Sequence, residues 1–430
     1  MRRTSLLILL LLAVAPGEAL WGAGAARLDA EEPASGSVTP ETVSEDVFLA
    51  AVDAAHPAAR ALSGELGAAE ARRLQASLLD DPRIELTRED PDDVARETTW
   101  GLAWTPPIDG RRSRTMRVAE AGVEVETHRL EARLVEVRSD VREAYAAWVS
   151  GEVRASLLTD HSGRLEELAR RMRNRAEAGE EPVLAAQRLE IASRSSAISL
   201  SEARAVAARS RETAAAWLLD DGPKLASMKP ELPALPEASS GLDSRVAGSR
   251  PDVLAARSEV EQAESLGELS RRVLEAPELL LGWKLIENDL PGGGGDFEGP
   301  VFAIGWKVPV FDRRRADRLE ADSALAAAAA GEEWAARRAR SELAAALAAY
   351  RELRQSALAA QTELGGLDGV ARAAEASFEA GESTVTDLLD TLSALLDARL
   401  AALDLYSSAL EAHRQLEVAA GRSLTSGDAS

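Results

Sequence analysis

Ala178-Gly179-Glu180 and Ala380-Gly381-Glu382 are the same three residues 202 positions apart, and the register they set decides the fold. The same offset carries Trp104 onto Trp306, Pro107 onto Pro309 and Trp148 onto Tyr350. Earlier in each copy His56-Pro57 answers Arg250-Pro251 at an offset of 194, so the copies differ by a short insertion. Each copy reads as helix, two short strands, one very long helix and one further helix. Internal repetition constrains architecture before local propensity does. Here it predicts a duplicated, mainly α chain with a small β part, its repeats at 45–221 and 249–421 joined by a linker at 222–248.

Upstream of each Ala-Gly-Glu turn lies a proline-free segment, Ser113 to about Ala176 and Ala316 to Glu379. Each predicts a helix of ~60 residues, on the order of 90 Å long. Downstream the chain reverses into Val183–Leu219 and Val385–Ala420. Leu389, Leu396, Leu403 and Leu410 recur every seven residues, beside a second row of Leu388, Leu395, Ala402, Ala409 and Leu416. Two adjacent seams fit a helix packed against neighbours on two sides, and an antiparallel hairpin with one wide core face gives the same rows. A further helix is expected from an N-cap at Ser44 to about Leu79, ended by Asp80-Asp81-Pro82.

Four strands are predicted, at about 84–89, 98–105, 278–287 and 301–310. The intervening segments, Asp90-Pro91-Asp92-Asp93 and the Gly292–Gly295 run, have turn chemistry. Trp100, Leu102 and Trp104 alternate with Thr99, Gly101 and Ala103, and Leu279, Leu281, Trp283 and Leu285 share one face. In the last strand Phe302, Ile304, Trp306, Val308 and Val310 oppose Ala303, Gly305 and Lys307. Apolar outward, small or polar inward, with aromatics near the ends, is the pattern of a membrane barrel strand. A soluble sheet packed on a helix alternates too, but the long thin helices here are poorly shaped to cover one. Trp100, Trp104, Trp283, Phe302 and Trp306 are therefore the candidate lipid-facing aromatics. Four strands cannot close on themselves, and an open edge is not tolerated in hydrocarbon. Two chains supply eight strands and three supply twelve, wide enough for a lumen, so a homotrimer with a channel is expected.

Met1-Arg2-Arg3 followed by the apolar run Leu6 to Ala15 reads as a secretory signal, with cleavage expected after Ala25. Residues 26–44 read as a flexible acidic segment and 422–430 as a disordered C-terminus. No later segment reaches the ~18 apolar residues of a transmembrane helix. The chain has no cysteine, which removes lipobox lipidation, disulfides and Cys-ligated metal. A net charge of −22 argues against nucleic acid and anionic lipid surfaces as partners. Arg111-Arg112 and Arg313-Arg314-Arg315 follow the strand pairs. They read either as anchors of a barrel rim at headgroups or as solvated helix starts.

Three stretches, SRPDVLAARSEVEQAE (249–264), GWKVPVFDRRRADRLEA (305–321) and FEAGESTVTDLLDTLSALLDARLAAL (378–403), together resemble the outer-membrane efflux proteins typified by TolC. The resemblance spans about residues 45–421. It implies a trimeric twelve-stranded barrel in the bacterial outer membrane, continued by a periplasmic α-helical barrel. Such a conduit docks on a periplasmic adaptor protein and an inner-membrane transporter. The matched positions make Asp387 and Asp390 the candidate periplasmic gate, and the turns at Gly179 and Gly381 the candidate adaptor contacts. The residues alone also allow both aspartates to be solvated first-turn acids favoured by the helix dipole. The chain departs from the family pattern in three places. Ala185 stands where the second repeat has Asp387, Phe378 replaces a tyrosine near the turn, and Ser383 replaces a latch-forming basic residue of some members.

The alternative to a duct is a soluble periplasmic coiled-coil scaffold or adaptor, which leaves the tryptophan-bearing strands unexplained. An exporter of polypeptide is a second alternative on the same architecture. His56, His128, His161 and His413 are scattered without a catalytic or metal-binding spacing, so no enzyme, metal or cofactor is expected.

Overall fold

The computed structural model describes residues 42–424 except 53–55, 91–94, 219–224, 226–227, 238–241, 243, 273, 288–294 and 366. The expected signal at 1–25, most of the acidic segment, the centres of both hairpin loops and residues 425–430 lie outside the described residues. The fold is mainly helical with one four-stranded sheet. Its elements run β1 (Thr42–Val43), α1 (Glu45–Ala51), α2 (Pro57–Ser77), β2 (Arg83–Glu89), β3 (Arg96–Trp104), α3 (Arg111–Glu177) and α4 (Val183–Ala215). They continue with β4 (Lys229–Pro230), α5 (Ser244–Gly248), α6 (Pro251–Ser270), β5 (Glu278–Glu287), β6 (Phe297–Gly305), α7 (Arg315–Gly365), α8 (Asp368–Glu379) and α9 (Val385–Ala420).

Three expectations need correction. The helix foreseen from Ser44 to Leu79 is two helices. Ser44 does cap α1, accepting from the Val47 N–H at 3.4 Å. Pro57, however, can only open a helix, and it holds His56 extended at ψ 137°, so α2 starts afresh there. The second long helix is also interrupted. Gly365 ends α7 and α8 resumes at Asp368, because glycine is among the poorest helix formers and brings no side chain to pack. The fourth strand lies at 297–305 instead of 301–310. Its limits follow its pairing with β5, from Phe297 opposite Ile286 to Gly305 opposite Glu278. Val308 and Val310 fall in a tight turn beyond it, closed by a Val310 N–H to Val308 C=O bond of 2.9 Å.

The first long helix, α3, runs 67 residues unbroken, roughly 100 Å. It packs along α4, α6, α2 and α9, so it is the spine on which the second repeat is laid. Of the two leucine rows on α9, Leu388, Leu395, Ala409 and Leu416 are buried, whereas Leu389, Leu396 and Leu410 are half-buried. One apolar cluster near the turn end joins Leu165, Leu168, Met172 and Leu189 to Leu388, Leu392 and Leu395. Another, mid-length, packs Phe48 tilted against Tyr145 and Tyr145 edge-on to Trp148. Beside it β1 and β4 pair in parallel, and the Tyr145 hydroxyl donates toward the Val43 and Glu231 carbonyls, 2.7 Å from each. The expected linker thus contributes β4 and α5 to the body.

Candidate functional site

At one end of the long helices stands the sheet, ordered β2-β3-β5-β6 and antiparallel throughout, with β2 and β6 as edges. Its registers put Ile84 opposite Leu102, Leu86 opposite Trp100, Trp100 opposite Trp283, Leu102 opposite Leu281 and Leu281 opposite Phe302. Because side chains alternate across a strand, all of these fall on one face with Trp104, Leu279 and Ile304. The face is exposed at Ile84, Leu86, Trp100, Leu102, Leu281, Phe302 and Ile304. The opposite face is mostly polar or small, with Arg83, Glu85, Thr87, Glu97, Thr99, Gly101, Ala103, Glu278, Gly282 and Lys284, but it also carries Leu280, Ile286, Phe297 and Val301. There Arg83 reaches Glu278 at 3.0 Å, and Lys284 pairs with Glu97.

Gly101 and Gly282 let β3 and β5 approach closely. A Cβ on Gly282 would stand 2.5 Å from the Trp100 carbonyl oxygen, so no larger residue fits. β3, β5 and β6 have 9, 10 and 9 residues, close to the ~9–11 of a tilted membrane strand, and β2 has 7. At the hairpin end the apolar face stops at Arg96, held by Asp90 at 3.0 Å and Glu287 at 3.3 Å. At the helix end it stops at Trp104 and Trp306. Trp306 lies just past β6, and its exposed ring still follows the apolar stripe.

At the far end each helix pair is joined by the same turn. Gly179 and Gly381 have φ of 75° and 76°, the left-handed region that glycine enters without strain. The Glu180 N–H reaches the Arg175 carbonyl at 2.9 Å and the Gly179 N–H reaches Ala176 at 3.1 Å. Glu382 to Ser377 and Gly381 to Phe378 repeat this at 2.9 and 3.0 Å. Both are Schellman C-caps, which satisfy the last carbonyls of a helix and turn the chain out of it.

Asp387 and Asp390 both lie in the first turns of α9 and both are exposed. They differ in what they do there. Thr384 and Asp387 form a reciprocal capping box: the Asp387 N–H donates to the Thr384 hydroxyl oxygen at 3.2 Å, and the Thr384 N–H donates to the Asp387 carboxylate at 3.0 Å. The Thr384 hydroxyl also donates to that carboxylate at 2.6 Å. These bonds, the hydroxyl first and the backbone N–H second, hold the Asp387 carboxyl below the usual aspartate range. The Asp390 carboxylate makes no hydrogen bond or ion pair among the described residues.

Two sets of residues went unread in the sequence. Arg188 donates to the Thr386 hydroxyl at 2.7 Å, tying α4 to α9 beside the aspartates. It occupies the position of the first repeat that Asp390 occupies in the second, so the 202-residue register would have found it. Mid-length, the buried Arg142 and Glu417 form an ion pair, and the Leu424 N–H adds a 2.7 Å bond to Glu417. No local signal links two residues so far apart in the chain.

Residues 242–422 match the family model described as outer membrane efflux protein. The cobalt-zinc-cadmium resistance protein CzcC of Cupriavidus metallidurans is 25% identical over 377 residues, covering 84% of this chain and 86% of CzcC. The outer membrane protein VceC of Vibrio cholerae superposes with a TM-score of 0.69 at 16% identity, over 88% of this chain and 96% of VceC. The CmeC outer membrane channel of Campylobacter jejuni gives 0.71 at 17%, over 87% and 85% of the two chains. VceC and CmeC are outer-membrane proteins, and neither match points to an enzyme.

Proposed function

We propose that this chain is an outer membrane efflux protein, as the family match over residues 242–422 and the channel-like fold of its described residues support, and that three copies assemble into the exit duct of a tripartite efflux or secretion system. The observation that carries the reading is the sheet: one face exposed and apolar, the other mostly polar or small, both edges open. Three such sheets supply twelve strands and leave no edge in hydrocarbon. The ~100 Å spine then continues the lumen into the periplasm.

In this reading the Gly179 and Gly381 turns contact the periplasmic adaptor, which connects the duct to an inner-membrane transporter. Asp387 and Asp390 form the periplasmic gate, six carboxylates around the threefold axis. Such a ring favours cations and is costly to close unless neutralised. Trp100, Trp104, Trp283, Phe302 and Trp306 face lipid. The transporter selects the cargo, and the metal-resistance relative makes cobalt, zinc and cadmium ions the first substrates to test.

The test is the mass of the protein extracted from membranes in detergent, followed by conductance in planar bilayers. A detergent-dependent trimer with a defined conductance is expected. A monomer or dimer soluble without detergent overturns the duct and leaves a periplasmic scaffold.

A further inference from the structure

The two strand-to-helix turns are built alike. In the first, the Ile108 N–H bonds the Pro106 carbonyl at 2.8 Å, and in the second the Val310 N–H bonds Val308 at 2.9 Å, again 202 residues on. Each then uses an aspartate as acceptor for the N–H two residues ahead, Asp109 from Arg111 at 2.9 Å and Asp312 from Arg314 at 2.8 Å. Each contains one residue at positive φ, Gly110 or Arg314. The second turn is one residue longer, and the extra residue is Phe311. Ile108 is 72% exposed, Val310 63% and Phe311 100%. These turns follow directly on Trp104 and Trp306, where the apolar face of the sheet ends.

The charge around these apolar residues is uneven. Glu275 faces three cations, Arg314 at 3.1 Å, Arg111 at 3.4 Å and Lys307 at 3.8 Å, and Asp317 adds a second acid 3.7 Å from Arg314. Asp109 and Asp312 are engaged by backbone. Arg112, Arg114, Arg313, Arg315 and Arg318 make no ion pair among the described residues. Arg112, Arg114 and Arg318 donate only to the backbone carbonyls of Ser77, Gly110, Arg313 and Arg314. The net charge of −22 is an average over the chain. Acids on helices tens of ångströms away are screened, the Debye length being ~8 Å at physiological salt.

We propose that these two turns dock on a membrane surface of anionic phospholipid, with Ile108, Val310 and Phe311 entering the acyl boundary and Arg313, Arg315 and their neighbours contacting headgroup phosphates. This rests on the sheet spanning a membrane, and it adds a specific headgroup chemistry at the rim nearest the helices. A second copy of the chain does not account for Ile108, which follows β3, an interior strand flanked by β2 and β5, although Val310 and Phe311 follow the edge strand β6.

The test is native mass spectrometry of the full-length protein in mild detergent, titrated with phosphatidylglycerol or phosphatidylcholine. Each arginine near an anionic leaflet is worth about fivefold in binding. The wild type is expected to retain phosphatidylglycerol preferentially, and Arg313→Gln with Arg315→Gln to lower that preference by roughly tenfold or more. Phe311→Ser is expected to reduce retention of both lipids alike. All three residues are exposed, so these variants keep the fold. Equal retention of the two lipids by the wild type, or an unchanged preference in the double variant, overturns the proposal. The same spectra report oligomer mass. A trimer without lipid preference refutes only the docking, whereas absence of a detergent-held oligomer removes the membrane reading and the docking with it.

Discussion

Trp104 and Trp306 make the same hydrogen bond from equivalent places in the two repeats. The indole N–H of Trp104 donates to the Asp80 carbonyl at 3.1 Å and that of Trp306 to the Glu275 carbonyl at 2.9 Å. Each thereby fastens the end of a hairpin's second strand to the segment that leads into its first. An amphipathic ring with an apolar body and one donor suits this boundary.

Trp104→Phe and Trp306→Phe keep most of the apolar surface and delete that bond. Each is expected to cost ~1 kcal/mol, and the two costs should agree within ~0.5 kcal/mol. Thermal unfolding in detergent measures both. Clearly unequal costs would mean that the two hairpins are not anchored alike.

The turns at Gly179 and Gly381 isolate a backbone effect. A Cβ at either position meets no atom within 4 Å, so any penalty comes from positive φ alone. A valine there should cost ~1–2 kcal/mol in the Schellman turn, whereas asparagine, which tolerates that region, should cost much less. If the turns contact the adaptor, pull-down of the adaptor should fall with valine and survive with asparagine. Equal capture by all variants would place the contact elsewhere.

How much of this was legible in the sequence depended on the range of the interaction concerned. The turns, the strand alternation and the start of α9 at Val385 follow from local chemistry: a glycine forced to positive φ, period-two burial, a threonine cap. The interruption at Gly365 was read through because a glycine lowers helix propensity without forbidding a helix. The limits of β6 were misplaced because the pairing partner, not the strand's own hydrophobicity, ends a strand. Arg250 shows the same limit at the scale of a network. From the start of α6 it reaches Asp252 at 2.6 Å and Glu342 on α7 at 2.8 Å, with the Ala419 carbonyl at the end of α9 3.4 Å away. The motif was visible in sequence, its partners were not.

The Arg142–Glu417 pair predicts an asymmetric mutational response. Arg142→Met leaves buried Glu417 without its cation and should cost ~3–5 kcal/mol, whereas Arg142→Met with Glu417→Leu should recover most of it. Glu45 lies 3.6 Å from Arg142 as well. Burial already raises the Glu45 carboxyl, opposed by Arg142. Without that opposition its folded pKa rises further above the unfolded ~4.3. A carboxyl with a raised folded pKa loses stability as pH rises through that interval and regains it on acidification. The single variant should therefore recover stability relative to wild type as the pH falls toward the unfolded glutamate value, as read by denaturant unfolding at each pH. A pH-independent difference would show that the strained carboxyl is not the origin of the cost.

Asp387 and Asp390 can be separated because only one of them caps a helix. Asp390→Asn removes a free carboxylate, so it should weaken block of the channel by multivalent cations and leave the unfolding temperature unchanged. Asp387→Asn removes a charge and loosens the capping box, adding a loss of stability. Thr384→Val carries the complementary information: it should lose similar stability while the Asp387 charge, and with it the block at neutral pH, remains. Its effect should appear on acidification. In the wild type the bonds from Thr384 depress the Asp387 carboxyl, so block persists as pH falls through the ordinary aspartate value of ~3.9. In Thr384→Val block should fade at a higher pH than in wild type, because the hydroxyl bond, the larger of the two causes, is gone. Planar-bilayer recordings across this range decide the matter. Block that is indifferent to both aspartates would leave Asp387 as a capping residue alone and place the constriction elsewhere along the lumen.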